Sequence, residues 1–125
     1  MRLFTLRNRR IAVEVPVQVA LQRRKNSAVT IYQQHGVVTN FSKNGACIVV
    51  QSVVIEGEHL FFSAQRDGEN YLYVTGISMG PEDVSVSAKA ISMDTCTRNN
   101  TNGFKLGVEF VAEQKELFDY LKKTA

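Results

Sequence analysis

Three arginines crowd one short stretch near the front of the chain, in the run Arg7-Asn8-Arg9-Arg10. A guanidinium is a planar, permanently charged fork of N–H donors. It matches the oxygens of a phosphate, and also the paired acceptors O6 and N7 on a guanine edge. Clustered just ahead of a strand, such groups can fold over an anionic ligand. A solvated basic flank has the same composition, and the run alone does not separate the two. A second stretch, Asn40-Phe41-Ser42-Lys43-Asn44-Gly45, carries short polar side chains that hydrogen-bond backbone in turns and can also face a ligand. Its glycine allows a positive φ or a close approach. Taken by itself it is an ordinary turn.

No comparable constellation points to catalysis. His35 and His59 lie in strand-like sequence, away from any nucleophile elbow, HExxH pattern or cysteine dyad. The acids are scattered with no evident acid/base couple, and no glycine-rich phosphate loop is present. The expectation is a protein that is not an enzyme. Cys47 and Cys96 are the only cysteines, short of the four or so ligands of a zinc site, so no metal and no resident cofactor is expected. Cys47 reads as a small buried hydrophobe. Asn40-Phe41-Ser42 and Asn99-Asn100-Thr101 match the glycosylation pattern, but no apolar segment of signal-peptide length follows the basic start, so both matches read as accidental. The expected location is the cytoplasm, and no apolar run is long enough for a membrane span.

Charge is distributed unevenly. Residues 1–25 hold seven bases (Arg2, Arg7, Arg9, Arg10, Arg23, Arg24, Lys25) and the single acid Glu14, for a net +6. The remaining 100 residues carry eight bases and eleven acids, for a net −3. The asymmetry suggests that the basic front meets an anion, whether a nucleotide, a nucleic acid or an acidic surface, while a net-negative body argues against a DNA or RNA groove despite the aromatic residues Phe61, Phe62, Tyr71 and Tyr73.

The elements that must position these residues are mostly strands. With 125 residues, 44% hydrophobic and 22% charged, the chain fits one domain able to bury its own core. Val13, Val15, Val17, Val19 and Leu21 alternate with polar partners and define a first strand, with Pro16 marking an edge or a bulge. Arg23–Ser27 reads as a polar turn before a second strand over about Val29–Thr39, and Ala46–Val50 as a short, wholly apolar third. His59–Ser63 and Tyr71–Val74 read as a strand pair around the hairpin signal Asp67-Gly68. Val84, Val86, Ala88 and Ala90 alternate, as do Leu106, Val108 and Phe110, with a polar loop expected over 94–103. The period then changes: Leu117, Phe118 and Leu121 form one stripe of a helix over 112–123. Glu113 and Glu116 lie at its start and Lys122 and Lys123 at its end, as the helix dipole favours. Short strands at this spacing predict a mainly β fold, a small antiparallel barrel with a C-terminal helix.

Taken together the two polar stretches resemble the PilZ domain family. Its first motif is an arginine-rich segment, RRxxR or RxxxR, leading into the first strand; its second is (D/N)xSxxG after a following strand. Asn40, Ser42 and Gly45 match the second motif at all three positions, and Arg10-Ile11-Ala12-Val13-Glu14-Val15-Pro16-Val17 is similar to the entry into the first strand. Leu106-Gly107-Val108-Glu109-Phe110 and the helix ending Tyr120-Leu121 are similar to the closing strand and helix. The resemblance covers nearly the whole chain, as a single domain with a flexible basic segment at residues 1–10. It implies cyclic di-GMP as ligand, with Arg7 and Arg10 on guanine edges and phosphates, Arg9 as an extra base at the same site, and Asn40, Ser42 and Gly45 lining the opposite side. It also implies an effector protein that responds to the bound state. Two departures stand out: Leu6 occupies the place of the leading arginine, with Arg7 next to it, and the stretch from Gly57 to Met93 exceeds the family's usual hairpin. The alternative is a degenerate PilZ-like adaptor for motility or pilus assembly that binds no nucleotide.

Overall fold

The computed structural model describes residues 9–25, 28–55, 57–68 and 70–124. Strand β1 (Ile11–Lys25) is followed by β2 (Ala28–Phe41), β3 (Gly45–Val50), the two-residue strands β4 (Val54–Ile55) and β5 (Glu58–His59), and a one-turn helix α1 (Leu60–Ser63). Then come β6 (Tyr71–Met79), β7 (Glu82–Arg98), β8 (Thr101–Phe110) and the C-terminal helix α2 (Lys115–Thr124). Six strands pair antiparallel in the order β1-β2-β3-β8-β7-β6, and β6 returns to β1 over Gln18–Gln22, so the sheet closes on itself. Closure satisfies the backbone groups that an open edge would expose.

The alternating residues fill the interior. Val17, Val19 and Leu21 on β1, Val86, Ala88 and Ala90 on β7, and Leu106, Val108 and Phe110 on β8 are all buried in one core. Pro16 lies ahead of the stretch paired with β6 and beside a register shift between Ala12 and Val15. A residue without an N–H is tolerated there because one side of the strand is open. Helix α2 adds Leu117, Phe118 and Leu121 to the core, each such side chain worth about 1.5–3 kcal/mol when fully buried. Glu116 in its first turn and Lys122 and Lys123 in its last suit the dipole. The helix begins at Lys115, later than the pattern predicts, because the Gln114 N–H donates to the Lys43 carbonyl at 2.7 Å and ties this approach to the β2–β3 turn.

Four further expectations are corrected. Residues 60–63 form helix α1, not a strand: Leu60 and Ala64, one helical turn apart, are both fully buried, and the His59 ring nitrogen accepts from the Phe62 N–H at 3.4 Å. Asp67-Gly68 therefore turns out of a helix and makes no hairpin. The excess length between Gly57 and Met93 is taken up partly by β5 and α1. Lys89 secures the turn by donating to the Gly68 and Asn70 carbonyls at 2.6 and 2.5 Å, with its ammonium 4.0 Å over the Tyr71 ring; burial lowers its pKa.

Residues 94–103 are no loop. Strands β7 and β8 remain paired to Arg98 opposite Thr101, joined by Asn99 and Asn100 at φ 52° and 63°. Two consecutive left-handed residues are the demand of a type I′ hairpin turn, and asparagine meets it well. Similarly β1 and β2 stay paired through Lys25 opposite Ala28, beyond the turn expected at Arg23.

Candidate functional site

The turn from Ser42 to Asn44 joins β2 to β3, and its geometry follows from one hydroxyl. Ser42 Oγ accepts from the Asn44 and Gly45 N–H groups at 3.3 and 3.1 Å and donates to the Gly45 carbonyl at 3.2 Å. The Ser42 N–H donates to that same carbonyl at 2.8 Å. Ser42 is only 3% exposed, so its polar capacity is spent inside the turn. Gly45 lies against β8, where a Cβ would come within 2.4 Å of the Val108 carbonyl oxygen. Beyond the turn, Phe110 donates its N–H to the Asn44 carbonyl at 2.8 Å, fixing the turn to the end of β8. Replacing Ser42 by alanine removes three hydroxyl contacts at once. Chemical denaturation should show a loss of roughly 1–2 kcal/mol, with the fold otherwise intact.

Asn40 differs from its two motif companions. It is half-buried, opposite Ala12 of β1 on one side and Cys47 of β3 on the other. Arg10, exposed at the entry to β1, reaches over this row. Its Nη1 lies 3.4 Å from Asn40 Oδ1 and 3.6 Å from Cys47 Sγ. Both contacts are long and exposed, so a stronger acceptor can replace them at small cost. The structure thus brings Arg10 to Asn40 and places Ser42 and Gly45 in the adjoining turn. Arg9 is exposed beside Arg10; Arg7 lies outside the described residues. Cys47 is half-buried on the outward side of β3, not in the core as expected, because Ala46 and Ile48 take the inward positions.

The same outer face continues into a groove of about 320 Å³ between β2, β3 and the tip of the β7–β8 hairpin. Val37 and Val49 floor it, and His35, Arg98, Asn99 and Asn102 rim it. Arg98 Nη2 lies 2.8 Å from Glu14 Oε1, with the arginine side chain 28% and the glutamate 76% exposed. Reading 94–103 as a loop left Arg98 unassigned. The pair Asn99-Asn100, read as a I′ turn, is the signal that would have set it on a strand. Among the described residues no helix is long and apolar enough to cross a membrane, and no cluster of three or more His, Cys, Asp or Glu side chains could hold a metal.

In overall shape the chain is similar to the Borreliella burgdorferi PlzA protein, solved in complex with c-di-GMP, at a TM-score of 0.51 and 14% identity. The match covers 98% of this chain and 53% of that one, so this chain spans about half the length of its neighbour. At that identity the likeness is one of fold. No family model and no curated protein matches the sequence.

Proposed function

We propose that this chain is a PilZ-type receptor module for cyclic di-GMP that regulates a partner protein in bacterial signalling. The observation that carries the reading is the approach of Arg10 to Asn40, which joins the arginine-rich run to the second motif on one outer face. The motif order in the sequence and the fold likeness to a c-di-GMP-bound protein support it. In this reading Arg10 exchanges its long contact with Asn40 for a phosphate oxygen or a guanine edge, and Arg7 and Arg9 add further forks. Asn40 meets the ligand from below, while Ser42 and Gly45 act by holding the turn that presents it. Drawing the arginine segment onto the ligand alters the surface offered to an effector, which is how binding becomes a signal.

Calorimetric titration of the chain with cyclic di-GMP should give saturable heat. In parallel, the ligand should slow alkylation of Cys47, which lies beside Arg10. No heat and no protection at high micromolar ligand sinks the proposal. The adaptor reading then takes its place. It is favoured by Phe62 on α1, 62% exposed and ring-to-ring with Phe61 at 5.4 Å, which gives a partner an apolar handle.

A further inference from the structure

The proposed site has a cation that neither sequence motif contains. Arg98 stands at the tip of the β7–β8 hairpin and rims the groove floored by Val37 and Val49. Its guanidinium lies 2.8 Å from Glu14, two residues along β1 from Ala12, and Ala12 is paired with Asn40. From the groove edge on β2 and β3, the Arg98 side chain therefore reaches across to the outer face of β1, on the stretch of that strand that leads to the pairing of Ala12 with Asn40. Glu14 is the only acid in the first 25 residues of the chain, and it is spent on this contact.

We infer that Arg98 is a further cationic element of the anion site, outside both motifs, held by Glu14 in the free protein and transferred to a ligand phosphate on binding. The inference rests on the receptor reading above. Glu14 is mostly in water, so its ion pair with Arg98 is weak and easily exchanged. A phosphate offers the same guanidinium a bidentate acceptor. Arg98, in contrast, is largely covered, so its side chain is already ordered near the groove and loses little freedom on binding. The apolar floor of Val37 and Val49 gives a flat base a surface to lie on, and closure of the hairpin would shield it from water. Glu14 then acts as an internal competitor, a placeholder anion that the nucleotide must displace.

The test is a double-mutant cycle read by calorimetry with cyclic di-GMP as the probe. Arg98→Ala should weaken binding about tenfold, the loss of one charge-assisted contact. Glu14→Gln should tighten it about two- to fivefold, the strength of an exposed ion pair. In the Arg98→Ala background, Glu14→Gln should have no effect. If the wild type binds and Arg98→Ala binds equally well, the inference fails while the receptor reading stands. Tightening by Glu14→Gln that persists without Arg98 also overturns it, since the effect would then be long-range charge alone. A wild type that gives no heat overturns the receptor reading and this inference together. Both residues lie on the outer face of the molecule, and matching melting curves confirm that each variant is folded.

Discussion

Replacing Arg10 by alanine is expected to weaken cyclic di-GMP binding by roughly ten- to a hundredfold, the loss of one bidentate fork worth about 1–3 kcal/mol. Stability should hardly move. Arg10 is exposed, and its contacts to Asn40 and Cys47 are 3.4 and 3.6 Å long; truncating such a side chain is worth about 0.5 kcal/mol or less. The separation of the two effects is the informative part. Arg10→Lys keeps the charge and loses the planar fork, so it should fall between wild type and alanine. Raising the salt should narrow the gap between lysine and arginine less than the gap between lysine and alanine. Fork geometry survives screening, while a point charge at an exposed position is largely screened at about 0.15 M salt. Equal binding by wild type and Arg10→Ala would show that the contact with Asn40 marks no ligand site, however well the motifs align.

Much of this arrangement is written in the chain, but unevenly. The barrel is legible where a strand has one wet and one dry face: β1, the first half of β7 and the end of β8 spell out period two because their inward residues enter the core. Helix α1 is illegible because Leu60-Phe61-Phe62 is a short apolar run, and periodicity cannot tell a strand from a helical turn at that length. The tip of the β7–β8 hairpin is illegible for the opposite reason. Beyond Ala90 the strand leaves the core and most of its residues are exposed or only half-covered, so no dry face imposes a pattern. Only the left-handed pair Asn99-Asn100 marks it. That omission explains a second one. Ala46–Val50 looks wholly buried because outward-facing Val49 is apolar too, yet Val49 floors a groove closed by the hairpin that the pattern hid. The two motifs can be seen in the sequence, but their meeting cannot. It depends on the pairing of Ala12 with Asn40, which sets the entry of β1 beside the end of β2.

Gly45→Ala should lower stability by about 1–3 kcal/mol, the usual penalty for overpacking a tight site, and should depress Tm by roughly 4 °C per kcal/mol for a domain of this size. The added Cβ would stand 2.4 Å from the Val108 carbonyl oxygen. That neighbour is backbone within a paired ladder, Gly45 opposite Glu109 and Ala46 opposite Val108, so no side chain can rotate out of the way. Relief requires β3 and β8 to separate, and the Phe110 N–H bond to the Asn44 carbonyl resists it. Gly57, Gly76 and Gly80 have nothing within 4 Å of such a Cβ, and their constraint is a positive φ instead. Gly45 is thus a packing glycine, and its place in the second motif follows from the close approach of two strands beneath the turn. Its effect on ligand binding should come through displacement of that turn, scaling with the loss of stability and rising with temperature. A Gly45→Ala protein with unchanged Tm and abolished binding would instead put the missing Cβ against the ligand, and the division between Asn40 as contact and Ser42 and Gly45 as scaffold would have to be abandoned.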